Sequence, residues 1–153
     1  MSSTEIGTIQ YVSFFLDESL LGVNVMRVQE LLPPQQMTIV PQASRDIRGL
    51  LNLRGNIVPA IDLRLRIGLK EQTDLKSAMN VIVRCEDGLK SLLVDRIGDV
   101  LDLQAASLEP SPRQDGNLAA AFTDGVHQLD NDLLLVLNID RICNRVAENG
   151  AKD

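Results

Sequence analysis

One histidine, two cysteines and a short run of aspartates are the residues from which this chain could assemble catalytic chemistry. His127 stands alone, so no multi-histidine metal site, HExxH motif or triad with a spare imidazole can be built. At a strand–turn position, a single imidazole reads as a surface or packing residue. Cys85 and His127 are the one conceivable nucleophile–base pair, but Cys85 shares the apolar face of its strand. Asp95, Asp99 and Asp102 invite a divalent-ion or acid–base reading. They lack the alternate-residue spacing and glycine of a calcium loop, and read better as solvated carboxylates at strand ends. No glycine-rich loop precedes a helix, which argues against nucleotide binding, and Gly22, Gly49 and Gly98 read as bulges or turns. Cys85 and Cys143 show no framework spacing and are expected to be reduced packing residues. A small hydrolase is the weaker alternative, because the convergent polar constellation it needs is missing.

Arg54 is the charged residue that asks for an explanation. It sits in Asn52-Leu53-Arg54-Gly55-Asn56-Ile57-Val58-Pro59-Ala60-Ile61-Asp62-Leu63-Arg64, the stretch around which the chain is organised. Apolar residues on both sides of Arg54-Gly55-Asn56 predict two strands meeting at a tight reversal, with Gly55 and Asn56 tolerating positive φ. Pro59 removes a ladder donor, which predicts an edge or a bulge. A guanidinium in an apolar hairpin must pair internally, with Glu30 or Asp62, reach solvent, or meet a partner.

The elements that hold this stretch follow from pattern. Ile9–Leu16 reads as a buried strand, Asp17-Glu18-Ser19 as a turn and Leu20–Val23 as its returning strand. Asn24 is placed to cap a short helix carrying Val25, Val28 and Leu32, stopped by Pro33-Pro34. Met37–Val40 predicts a brief strand, Leu63–Ile67 a short helix ended by Gly68, and residues 70–77 a boundary between halves. Met79–Cys85 and Leu89–Val94 form a hairpin about Asp87-Gly88. Asp95–Leu103 is a further strand, residues 104–117 a loop, and Leu118–Phe122, Val126–Leu129 and Leu133–Leu137 are apolar runs. Ile139, Ile142, Cys143 and Val146 make the stripe of a closing helix. Nine or ten short strands argue all-β barrels or a sandwich.

Composition bounds the function. The chain has 153 residues, 44% of them hydrophobic, enough for one domain or two small subdomains. No apolar run is long enough to span a bilayer, and Met1–Gly7 does not resemble a signal peptide. Residues 1–80 carry 8 basic and 8 acidic side chains, so the net −6 lies in the second half. Within the neutral half, Arg45, Arg48, Arg54, Arg64, Arg66 and Lys70 against Asp46 and Asp62 form a local basic excess that could steer an acidic protein surface. An acidic chain with few aromatics makes a poor nucleic-acid binder.

NLRGNIVPAIDLR resembles the signature of the chemotaxis coupling protein family, CheW, whose members carry close variants of NLRGxIVPxIDLR. GVNVMRVQEL at 22–31, VDRIGDVLDL at 94–103 and LLLVLNI at 133–139 resemble three further family blocks, in the family's order over 8–147. The resemblance implies an all-β fold of two intertwined SH3-like five-stranded β-barrels with a few short helices. It implies one domain over 8–147 with approximate subdomains 8–70 and 78–147, the termini crossing between them, and flexible tails at 1–7 and 148–153. It further implies a cytoplasmic, non-catalytic adaptor without cofactor, a monomer or weak self-associator outside the membrane. Such an adaptor bridges the cytoplasmic tip of methyl-accepting chemoreceptors to the regulatory domain of the histidine kinase CheA; the alternative is a coupling module of another receptor array, for pilus motility or a second-messenger pathway. Partner contact is carried onto Val28, Glu30, Asn52, Leu53, Arg54 and Gly55. Asp62, Arg64, Asp95 and Asp99 are expected to join them, with core packing the rival role for Val28.

Overall fold

Short alternating and fully apolar segments can bury their side chains only by pairing, and here they pair into two sheets. The computed structural model describes residues 7–41, 44–70, 74–110 and 121–144. Its elements in chain order are β1 (Thr8–Leu16), β2 (Ser19–Asn24), β3 (Val28–Leu32), β4 (Ile47–Leu53), β5 (Asn56–Asp62) and α1 (Leu63–Arg66). There follow β6 (Met79–Cys85), β7 (Gly88–Val94), β8 (Arg96–Gln104), β9 (Thr123–Gln128) and β10 (Leu133–Leu137), then a closing helix over 139–144. The first sheet has the order β8-β1-β2-β10-β9 and the second β3-β6-β7-β5-β4. The chain therefore begins in one sheet, makes all of the other, and returns.

Each sheet curls back on itself. Thr38, beyond the end of β3, exchanges backbone hydrogen bonds of 2.9 and 2.8 Å with Leu50 of β4. Glu109, beyond β8, does the same with Val126 of β9 at 2.8 Å in each direction. Both crossings pass over a glycine. A Cβ on Gly49 would lie 2.8 Å from Met37 Cβ, and one on Gly125 would strike the Glu109 carbonyl oxygen.

The registers expose an internal repeat that the sequence reading did not find. Leu16↔Ser19 in β1–β2 matches Cys85↔Gly88 in β6–β7, and Phe14↔Ile97 matches Val83↔Val28. The parallel pairing Val136↔Gly22 matches Ala60↔Ser91. Asp62 N donates to the Asp46 carbonyl at 2.7 Å, as Asn138 N does to that of Phe122. Each repeat gives two strands to one sheet, three to the other, and then a helix. The boundary near 70–77 separates repeats; β5 and β6 on its two sides belong to the same sheet.

One apolar core joins the sheets, with Phe14, Leu16 and Val23 of the first against Ile61, Val81, Val83 and Leu92 of the second. Smaller clusters fill each sheet's own concavity, Tyr11, Leu20, Leu134 and Val136 in one and Leu51, Val58 and Ile82 in the other.

Two expectations about elements change. Residues 24–32 form one 3₁₀ turn (Val25–Arg27) and then β3, because Val28 and Glu30 pair with β6. Asn24 does cap that turn, accepting from Met26 N at 2.9 Å. Met37–Val40 contributes a single bridge rather than a strand. Of the remaining readings, residues 1–6, 71–73, 111–120 and 145–153, including Val146 and most of both tails, lie outside the described residues.

Candidate functional site

The β4–β5 turn is built from its two central residues. Leu53 pairs with Asn56, leaving Arg54 at φ 52° and Gly55 at φ 88°. Two successive positive φ values match the right-handed twist of the strands. The expected Gly55-Asn56 placement is thus shifted by one residue, and the residue bearing the unfavourable conformation is an arginine. Asn52 Oδ1 accepts from Gly55 N at 3.0 Å and braces the turn. A Cβ at Gly55 would meet nothing within 4 Å, so glycine is needed there for φ rather than for room. Arg54 Nη1 and Nη2 donate to the two Glu30 carboxylate oxygens at 2.5 and 3.2 Å, a fork that ties the turn to β3. Arg54 remains 71% exposed while Glu30 is mostly covered. Leu53 leans into the cluster of Leu51, Val58 and Ile82, and Val28 packs on the shared core. The fold therefore brings Glu30, Asn52, Leu53, Arg54 and Gly55 together, with Val28 on the same strand as Glu30.

Asp62, Arg64 and Asp95 belong to a different arrangement. Asp62 is wholly buried, caps α1 by accepting from Arg64 N at 3.1 Å, and accepts from Arg48 Nη1 at 2.9 Å. Arg64 Nη1 reaches both Asp17 and Asp95 at 2.8 Å, and its Nε donates to the Lys70 carbonyl at 2.9 Å. The Asp95 carboxylate also accepts from Asp17 N at 2.6 Å. The guanidinium hydrogen bond holds the Asp17 carboxyl below the usual carboxylate range and raises Arg64 above the usual arginine range. This knot fastens the β1–β2 turn and the β7–β8 junction to α1. Arg64 and Asp95, both expected at the partner contact, are bound to each other. Asp99 stands apart on β8 with its side chain exposed and its carbonyl accepting from Ser13 Oγ at 2.5 Å.

Four of the six residues of the local basic excess are drawn into ion pairs by folding. Arg48 meets Asp62, Arg54 meets Glu30, Arg64 meets Asp17 and Asp95, and Arg66 meets Asp46. Arg66 is completely buried, with Nη1 donating to the Ile142 carbonyl of the closing helix. Glu30 was one of two candidates for Arg54; the other pairings could not be read from spacing, since Asp17, Asp46 and Asp95 look like ordinary turn residues.

Exposed apolar side chains were also missed, and they recur by repeat. Leu31 on β3 is 38% exposed and its counterpart Val100 on β8 is 54% exposed. Ile57 on β5 is 62% exposed and its counterpart Leu133 on β10 is 44% exposed. Beside the first sheet, where the 3₁₀ turn meets the closing helix, a cleft of about 240 Å³ is lined by Met26, Arg27, Asp124 and Asp140, with Met26 standing free in solvent. Arg27 closes it on one side through a 2.8 Å ion pair with Asp140, whose carboxyl it holds below the usual range.

The residues singled out for catalysis are engaged elsewhere. Cys85 and Cys143 are joined in a disulfide, which corrects the reduced-packing expectation. His127 is buried, its Nε2 3.1 Å from the Tyr11 hydroxyl and its ring edge-on to the tyrosine. Burial pushes the imidazole below its ordinary pKa. Among the described residues, no three of His, Cys, Asp and Glu approach closely enough to hold a metal ion, and no helix is long and apolar enough to cross a membrane.

Comparison with known proteins agrees with this geometry. Residues 10–147 match the model of the CheW-like domain. The chain is 31% identical to a chemotaxis protein CheW of Treponema pallidum (strain Nichols), over 87% of this chain and 81% of that protein. It is 26% identical to a chemotaxis protein CheW of Helicobacter pylori (strain ATCC 700392 / 26695), over 90% and 82% respectively. The crystal structure of the scaffolding protein TtCheW from Thermoanaerobacter tengcongensis superposes with a TM-score of 0.79 at 28% identity, covering 88% of this chain and 91% of that one.

Proposed function

The chain belongs to the CheW-like family of non-catalytic chemotaxis scaffolds, and from that premise we propose that it couples methyl-accepting receptors to the histidine kinase CheA. One observation carries the reading: the two sheets expose apolar side chains at equivalent positions, yet bear different charge beside them. In the second sheet the Arg54–Glu30 fork lies next to Leu31 and Ile57 along the chain. In the first, the corresponding positions hold Asp130 and Asp99, beside Leu133 and Val100. Like apolar anchors with unlike charge make two related faces that select different partners or different ends of one partner. We assign the Arg54 face to the kinase regulatory domain and the cleft beside Met26 to the receptor tip, whose helices an exposed thioether can fit. Catalysis is not needed for transmission; holding both partners raises their effective concentration and biases the kinase between states. Such a role places the chain in the cytoplasm as a monomer or weak self-associator.

The test is titration of purified kinase regulatory domain and of a receptor signalling fragment with Arg54→Ala, Ile57→Asp and Met26→Asp. Arg54→Ala and Ile57→Asp should weaken kinase binding at least tenfold and leave receptor binding unchanged, and Met26→Asp should do the reverse. Unaltered binding by all three would overturn the assignment.

A further inference from the structure

Cys85 ends β6 of the second sheet, and Cys143 lies in the closing helix that follows β10 of the first. Their Cα atoms are 6.3 Å apart, inside the range a disulfide spans without backbone movement. Repeat equivalence gives these two positions their context. The residues matching Cys85 and Cys143 are Leu16 and Ile67, both buried in the shared core. The fold therefore packs this contact well with two aliphatic side chains, and a cross-link is not required to bring the elements together. What the cysteines add is chemistry.

Access and anchoring both favour reversibility. Cys85 is half-buried and lines an open cleft of about 510 Å³ with Arg27, Arg84, Glu86 and Asp140. The mouth balances Arg27, paired with Asp140, and Arg84 against Glu86, so its open shape rather than its charge admits a small disulfide such as oxidised glutathione. The closing helix is held independently of the sulfurs, by Arg27–Asp140 and by Arg66 donating to the Ile142 carbonyl. Opening the disulfide thus leaves the helix docked, by these polar contacts and by Ile139 and Ile142 in the shared core, without the covalent tie to β6.

We propose that Cys85 and Cys143 are a reversible thiol–disulfide pair, entered from this cleft, whose oxidised form fastens the closing helix to the second sheet. In the forward direction the Cys85 thiolate attacks one sulfur of glutathione disulfide and expels a glutathione thiolate. The Cys143 thiolate then attacks Cys85 Sγ in the mixed disulfide and expels a second. Two protein thiols are oxidised, one glutathione disulfide is reduced to two glutathiones, and the cysteine protons end on those products. The inference stands on the cysteines' surroundings and is independent of which partners the chain couples.

The experiment equilibrates the full chain in glutathione buffers from reducing to oxidising, then reads intact mass after thiol alkylation and the thermal midpoint. The expected result is a monomer losing both alkylatable thiols together without added mass. Its midpoint should rise by roughly 5–15 °C on oxidation and return with excess reduced glutathione. The double variant Cys85→Leu, Cys143→Ile, which copies the other repeat, should fold and show a midpoint indifferent to the buffer. A persistent glutathione adduct, a disulfide-linked dimer, a bond that excess glutathione does not open, or a redox-dependent midpoint in the double variant would each overturn the proposal.

Discussion

Arg66 and Asp46 in the first repeat occupy the places that Ile142 and Phe122 occupy in the second. The same buried position is filled by an ion pair once and by an apolar pair the other time. Arg66 even reaches across to the backbone of Ile142, the residue that replaces it. The lesson is that this fold does not need the charge for its architecture. Burying a guanidinium and a carboxylate costs desolvation that their attraction and hydrogen bonds only offset. What the pair contributes is directional: it ties α1, the turn before β4 and the closing helix in one geometry.

The sharpest way to break that comparison is to remove one partner. Asp46→Ala leaves Arg66 buried and uncompensated, and should destabilise the protein by about 3–5 kcal/mol in denaturant unfolding. The double variant Asp46→Phe, Arg66→Ile, which copies the second repeat, should range from neutral to about 2 kcal/mol more stable. If it loses as much as the single variant, the repeats are not interchangeable at this point.

A second asymmetry places His127 where the other repeat has Leu51. Burial lowers the folded imidazole below its ordinary pKa, with Tyr11 at Nε2 and no partner at Nδ1 among the described residues. Below about pH 6.5 the unfolded chain binds a proton that the folded chain refuses. Stability should therefore be full above that value and fall as the pH drops below it. His127→Leu should flatten this part of the thermal midpoint against pH curve; a curve of unchanged slope would exclude His127 as its source.

The equivalent turns differ in backbone as well as charge. Gly55 has a positive φ, whereas neither Asp130 nor Asn131 in the matching turn does. Gly55→Ala should cost about 1 kcal/mol or somewhat more through conformation alone, and Asn131→Ala much less. Chemical denaturation of the two variants side by side checks this, and equal losses would deny the turns their different geometry.

The smallest effect belongs to Arg54. Its side chain is mostly exposed, so losing the Glu30 fork should cost no more than about 1 kcal/mol. Arg54→Gly should be more stable than Arg54→Ala, because glycine occupies φ 52° freely. A midpoint loss of more than a few degrees in Arg54→Gly would make Arg54 a structural residue rather than a contact.

Local pattern carried most of the strands. The hairpin Met79–Val94 was legible from its alternation and turn residues, although Cys85 pairs with Gly88 and the turn falls on Glu86-Asp87. The Leu63–Arg66 helix was legible from the Gly68 that follows it, while its Asp62 cap was not read. The segment after Asn24 failed as a helix because tertiary pairing of Val28 and Glu30 with β6 overrode an i, i+3, i+7 pattern. Arg54 and its neighbours do come together, yet their company was only half visible: Glu30 was a candidate partner, while the Asp17–Arg64–Asp95 knot joins residues distant in sequence. The repeat was hidden because equivalent positions conserve burial and register rather than residue type, as Arg66 against Ile142 and Cys85 against Leu16 show. Exposed Ile57 and Leu133 could not be told from core by hydrophobicity, which says nothing about which strand face is covered.

The central claim is simultaneous occupancy of two surfaces on a rigid body. Sedimentation velocity of the chain mixed with kinase regulatory domain and a receptor signalling fragment tests it directly. The account predicts a ternary species containing all three, from which Ile57→Asp releases the kinase domain alone. If the two partners displace each other, or Ile57→Asp releases both, a single shared site replaces the two-surface scaffold.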